Sequence, residues 1–211
     1  MKKLERLKKL LERNYNFKGS NYEYFPKTNQ ELKQLVDGLI KQYGNEVDLN
    51  IINVYDINDF NKIFYDYRRF NGNVSLWDVS NGRKFEKTFS NCYNFNTDVF
   101  SWDVSNGKYF SFMFYKCRYF NSDLSNWNVS NSEYFHAMFY ECKKFNADLS
   151  KWDVSNGEYF HVMFYGCESF NADLSKWNVS NAKNWKNFAV GSLLAKYPER
   201  IPERFRSDYL K

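Results

Sequence analysis

The residues of this chain that could do chemistry all stand at one spacing. Cys92, Cys117, Cys142 and Cys167 are 25 residues apart, and so are the two histidines, His136 and His161. Asp98, Asp123, Asp148 and Asp173 keep the same interval. Thiols can act as nucleophiles, pair as disulfides or bind zinc. A Cys-x-x-Cys pair is absent, however, and evenly repeated cysteines read as small buried apolar residues with free thiols. Two histidines alone leave a zinc site incomplete, so both read as solvated side chains. Carboxylates about 5 Å apart in water repel by about 1 kcal/mol per adjacent pair. Calcium would relieve that, but it needs about six to eight oxygens, and the Gly-rich nonapeptide of calcium-binding β-rolls is missing. No metal and no cofactor is expected. Catalysis needs unlike groups converging on one point, whereas these recur in step, so an enzyme is not expected either.

The elements that would hold these rows repeat with them. Phe-Asn recurs at 70–71, 95–96, 120–121, 145–146 and 170–171. Trp recurs at 77, 102, 127, 152 and 177, each followed by Asp or Asn and then Val-Ser-Asn. A fixed period of this size is the mark of a solenoid, in which each coil buries its apolar face only against its neighbours. Within 120–144, Leu124, Trp127 and Val129 fit the strand segment of a leucine-rich repeat. Trp127 and Val129, two apart, point inward, and Asn126, Asn128 and Ser130 point outward. Phe135, Met138, Phe139 and Cys142 stand at i, i+3, i+4 and i+7, one inward face of a short helix. The fold expected is an α/β solenoid. It is a right-handed, leucine-rich-repeat-like stack of 25-residue coils, each with a short parallel strand and a short helix, and Trp102, Trp127 and Trp152 form one internal column. Asn71, Asn96, Asn121, Asn146 and Asn171 are expected to satisfy backbone groups of the turns. Asn-Gly at 81–82, 106–107 and 156–157 could signal hairpins, but Ser132 and Ala182 replace that Gly elsewhere, so positive φ is not required there.

The chain divides accordingly. Residues 1–25 read as a basic amphipathic helix, with Leu4, Leu7, Leu10 and Leu11 on one face, followed by a linker. Residues 26–44 read as an N-terminal capping helix. Thr28-x-x-Glu31 forms a capping box, Leu32, Leu35, Val36, Leu39, Ile40 and Tyr43 follow at helical spacing, and Gly44 ends the run. Residues 45–194 hold about six coils, the first and last degenerate, and 195–211 form a C-terminal cap or tail. Of the net charge of +5, residues 1–20 already account for it all, with seven Lys/Arg against Glu5 and Glu12. Opposite charges nearly cancel from 70 to 168, so no nucleic-acid groove is expected. No apolar run of about 18 residues exists to span a membrane. Glu5, Arg6, Lys8 and Lys9 interrupt what a secretory signal would keep apolar.

The copies resemble the bacterial BspA-like leucine-rich-repeat surface proteins, and more narrowly that family's 25-residue repeat, long filed as a domain of unknown function. The residues that carry the resemblance are Phe120-Asn121-x-Asp123-Leu124-Ser125-x-Trp127-x-Val129-Ser130-Asn131, followed by Met138-Phe139 and Cys142. One segment departs: where the family has Val-Thr-x-Met, this chain has Gly107-Lys108-Tyr109-Phe110. The resemblance implies a non-catalytic binding protein on the cell surface, linked with adhesion. The lack of a signal favours instead a cytoplasmic scaffold of the same architecture. A protein partner, of the host or the chain itself, and a monomeric state are expected.

Two surfaces are candidates for that partner. The strand face carries Asp78, Asp103, Asn128, Asp153 and Asn178 beside Ser80, Ser105, Ser130, Ser155 and Ser180; local Asx turns and caps account for the same residues. The helix side carries two aromatic rows, Tyr109, Tyr134 and Tyr159, and Tyr115, Tyr140 and Tyr165, which either widen the core or make contacts.

Overall fold

The structure is a computed structural model in which residues 22–210 are described. The basic helix expected within residues 1–14 lies outside them. Residues 22–25, expected as linker, instead begin the pairing: Tyr24 makes a parallel bridge with Ile52.

Helix α1 (Asn29–Tyr43) starts where the capping box predicts, with the Thr28 hydroxyl accepting the Glu31 N–H at 3.2 Å. The Glu31 carboxylate reaches back past the cap and accepts the Lys27 N–H at 2.7 Å. Leu32, Leu35, Val36, Leu39 and Ile40 are buried. Gly44, at φ 90, closes the helix by donating to Ile40 O. At its first turn Asn29 Nδ2 donates to the carbonyls of Asp59 and Asn61, both at 3.0 Å. The side chain takes the place of a preceding coil for those carbonyls.

Beyond α1 the chain lies in coils 25 residues apart, stacked in register. Trp77, Trp102, Trp127, Trp152 and Trp177 are all buried. Their rings stack at 6.3 Å (77 to 102), 6.5 Å (102 to 127) and 6.5 Å (152 to 177). Each indole N–H donates to a carbonyl of the coil before, Trp127 to Val99 O at 3.0 Å and Trp152 to Leu124 O at 2.9 Å. Phe64, Phe89, Phe114, Phe139 and Phe164 form a second column at 5.0 to 5.7 Å. The Asn expectation is met at four of the five: the side-chain oxygens of Asn71, Asn96, Asn121 and Asn146 accept the backbone N–H of the next Asn in the row, at 2.8 to 3.0 Å, whereas the Asn171 oxygen, at the end of the row, is buried without a partner among the described residues. A second Asn row does the converse. Asn106, Asn131 and Asn156 donate Nδ2 to Ser80 O, Ser105 O and Ser130 O.

Within a coil the backbone departs from the strand-and-helix reading. Residues 122–131 hold two turns, at 125–126 and 130–131, with local bonds such as Trp127 N–H to Leu124 O, and side chains tie the segment to the neighbouring coils. Residues 135–142 are also turns, not a helix. Phe135, Ala137, Phe139 and Glu141 donate to Tyr159 O, His161 O, Met163 O and Tyr165 O of the following coil, at 2.7 to 3.1 Å. Met138, Tyr140 and Cys142 donate three residues back within their own coil. The alternation needs left-handed backbone at two positions, Ala137 (φ 53) and Glu141 (φ 54). The same registers are left-handed at Lys87, Phe112 and Val162, and at Asn91, Lys116 and Gly166. Spacing is the reason no helix forms. Packed helices stand about 8–10 Å apart, whereas Tyr115 and Tyr140 on this side are 4.8 Å apart. Parallel bridges link Asp59, Lys84, Tyr109, Tyr134, Tyr159 and Asn184 in succession. The inter-coil backbone ladder thus runs on the side where the helix was expected.

Short 3-10 turns at Leu194–Lys196, Pro198–Arg200 and Glu203–Asp208 cover the last coil. Leu194 donates to Phe170 O, and Leu174 to Arg200 O. Phe205 is buried against Phe188 and stacks on Trp185 at 5.1 Å. The Tyr209 hydroxyl accepts the Ala189 N–H at 2.7 Å, and burial pushes that phenol up to about 12.

Candidate functional site

Two faces run along the stack. On the turn side Asp78, Asp103, Asn128, Asp153 and Asn178 are exposed. Each side-chain oxygen accepts the N–H of the Ser two residues on, Ser80, Ser105, Ser130, Ser155 and Ser180, at 3.0 to 3.2 Å. Asp98, Asp123, Asp148 and Asp173 do the same one turn earlier, for Phe100, Ser125, Ser150 and Ser175. Hydrogen bonds from the following serine hold three carboxyls below their ordinary range, for Asp153 the Ser155 hydroxyl first and then its N–H, for Asp148 and Asp173 the N–H of Ser150 and Ser175 first and then the hydroxyl. Asp and Asn interchange freely because an Asx turn needs one acceptor oxygen and no charge. Among the described residues no group of three or more His, Cys, Asp or Glu is gathered to hold a metal ion.

The ladder side differs from coil to coil. Tyr109, Tyr134 and Tyr159 are half-buried and stack at 5.0 and 5.1 Å. Tyr115, Tyr140 and Tyr165 stack at 4.8 and 4.9 Å. With faces covered by neighbouring rings, each row presents ring edges outward. Burial first, then nearby Glu133 and Glu141 respectively, raise the Tyr134 and Tyr140 phenols, so both stay protonated at neutral pH.

Between the rows lies a group that sequence reading missed. His136 Nδ1 and the buried Ser111 hydroxyl are 2.9 Å apart. His136 and His161 stack at 4.6 Å with planes 7° apart, and Phe112 sets its edge against His136 at 4.9 Å. The histidines are therefore half-buried, not solvated. Burial, then His161 and Lys87, push His136 down to about 4, and burial lowers His161. Both are neutral near pH 7. Parallel rings at this distance cannot turn two nitrogens onto one ion at zinc bond lengths of about 2 Å. The signal for this group was the departure of Ser111, Phe112, His136 and Val162 from any common residue type in two registers that other residues also fill.

Charged groups rim the face. Lys108 pairs with Glu133 at 2.7 Å and Lys183 with Glu158 at 2.8 Å, while Lys87 lies over Phe112 and Lys116 over Tyr115. The four cysteines take no part. Each is buried and free, and each thiol donates to a Phe carbonyl one coil back, as Cys117 does to Phe89 O at 3.0 Å. Burial pushes all four thiols well above their usual range. Among the described residues no helix is long and apolar enough to cross a membrane.

A family model described as "Mycoplasma protein of unknown function, DUF285" matches residues 30–142 and 111–192. No curated protein and no solved structure matches the chain.

Proposed function

We propose that this chain, which belongs to the DUF285 family of Mycoplasma proteins of unknown function, is a non-catalytic protein-binding module that makes contact through its ladder side. The family description assigns no activity, so the reading rests on the surface itself. One observation carries it. The Asx positions of the turn side are filled alike in every coil, because their geometry uses the Asp, Asn and Ser residues, whereas on the ladder side the registers between and beside the tyrosine rows change residue from coil to coil while the backbone does not. Discrimination between partners needs such differences, and half-buried aromatic edges beside rim charges supply contact area at small entropic cost.

The stacked 25-residue coils support reading the architecture as a solenoid of the BspA-like leucine-rich-repeat type. On that reading the module is a surface adhesin. A scaffold inside the cell is the alternative, and protease treatment of intact cells separates the two: a digested chain supports the adhesin, a protected one the scaffold.

The contact face is tested by affinity capture from native lysate and from host matrix with two variants. One carries Tyr134→Ala with Tyr140→Ala; the other carries Asp103→Lys with Asp153→Lys. Loss of the captured protein with the tyrosine variant alone is the expected result. Loss with the lysine variant alone would move the contact to the turn side.

A further inference from the structure

Leu76 and Phe100 break the pattern of the turn side. Ser101, Asn126, Lys151 and Lys176 fill the register of Leu76 in later coils, and Ser75, Ser125, Ser150 and Ser175 fill that of Phe100. Stacking therefore requires an apolar side chain at neither place. Yet Leu76 is 71% exposed and Phe100 40%. Half-buried Ile51 precedes Leu76 in the same register, so the apolar edge runs across the first coils.

Phe100 also lines an open concavity of about 400 Å³ with Asp98 and Asp123. Among the described residues neither carboxylate forms an ion pair. Further along this row Lys151 stands three residues after Asp148 and Lys176 three after Asp173, whereas Ser101 and Asn126 fill that place after Asp98 and Asp123. The two carboxylates beside the apolar edge thus lack the lysine that the later coils carry in the same register.

A segment that carries both leucines and lysines fits such a place, and the chain has one. Residues 1–14 hold Leu4, Leu7, Leu10 and Leu11 among Lys2, Lys3, Arg6, Lys8, Lys9 and Arg13, against Glu5 and Glu12. The chain enters the described structure next to this edge. Glu23 and Tyr24 both donate to Ile51 O, at 2.8 and 3.3 Å, and Asn53 donates to Tyr24 O at 2.8 Å. Leu76 is one coil beyond Ile51, and Phe100 is in the coil after that. Counted from Tyr24, which lies one layer before Ile51, Phe100 is three spacings away, and at about 4.8 Å each that is on the order of 15 Å, which four or five extended residues span. A tether this short keeps the segment at an effective concentration in about the millimolar range.

We propose that the leucine- and lysine-bearing segment 1–14 docks on the edge formed by Leu76 and Phe100, with its cations against Asp98 and Asp123. The docking covers this apolar edge of the turn side and leaves the ladder side open, so it stands apart from the contact face proposed above.

Zero-length carbodiimide cross-linking of the full chain, mapped by mass spectrometry, tests it. Amide links from Lys2, Lys3, Lys8 or Lys9 to Asp98 or Asp123 are expected in the monomer fraction. Leu76→Ser with Phe100→Ser should reduce them about tenfold, for loss of two apolar contacts. Serine already fills both registers in sister coils, so the stack should tolerate the change. Should thermal melts show otherwise, Lys8→Glu with Lys9→Glu lies outside the stack, and links from Lys2 and Lys3 are then read. Links spread evenly over Asp78, Asp103 and Asp153 would overturn the proposal, as would links indifferent to the Leu76 and Phe100 change. Links found only between chains of mixed isotope label would assign the edge to a second copy instead.

Discussion

The rings of Phe110 and Phe135 stand 6.4 Å apart, whereas the neighbouring pairs of the same column, Phe85 with Phe110 and Phe135 with Phe160, are 5.2 and 5.3 Å apart. The cause is three residues upstream. A Cβ on Gly82, Gly107 or Gly157 would lie 2.2 to 2.3 Å from the Cζ of Phe85, Phe110 or Phe160. Coil 120–144 has Ser132 at that place, its hydroxyl donating to Gly107 O at 2.9 Å. The Phe135 ring has moved aside for the Ser132 side chain. Gly107→Ala should force the same shift without a compensating hydrogen bond. It should cost about 1–3 kcal/mol in urea unfolding. An unchanged midpoint would mean that the ring has room to spare.

Left-handed backbone sits on residues poorly suited to it. Val162, at φ 50, is β-branched, and Asn187 fills its register in the next coil at φ 58. Asn tolerates this region far better than Val. Val162→Asn is expected to raise stability by about 1 kcal/mol, seen as a higher denaturant midpoint at constant slope. Destabilisation would show that packing of the Val methyls outweighs the backbone strain.

The thiols should be silent. Cys92, Cys117, Cys142 and Cys167 are buried, their pKa values are raised by burial, and their S–H groups are engaged with carbonyls. A chromogenic disulfide reagent at pH 8 should label none of them in the native chain and all four in denaturant. Fast labelling of a native thiol would contradict the stacking around it.

Acid should loosen the ladder side before the turn side. An unfolded histidine takes its proton near 6.5, but His136 in the stack resists until about 4. Between those values the unfolded chain holds the extra proton, so stability falls as pH is lowered through this window. The loss should be of order 1–2 kcal/mol after allowance for solvent screening. The depressed carboxyls act below it. Unfolding midpoints at pH 7.5, 5.5 and 4.5 should therefore slope less in His136→Asn than in the parent chain, and equal slopes would remove the stacked pair as the cause.

Much of this was legible in the residues alone. The 25-residue period, the buried Trp row, the Thr28 cap, the Asn71 to Asn171 ladder and the Asx role of Asp153 all follow from side-chain type at fixed spacing, because each depends on a local geometry or on a like residue one coil away. The backbone of 135–142 does not follow. Phe135, Met138, Phe139 and Cys142 suit one face of a helix, and they suit equally a run of turns whose donors are shared with the next coil. Deciding between them needs the distance between coils, set by the whole aromatic stack. Ala137, Phe112 and Val162 carry no mark of left-handed backbone, because hydrogen bonds to the following coil hold them there. Those partners exist only once the chain has stacked.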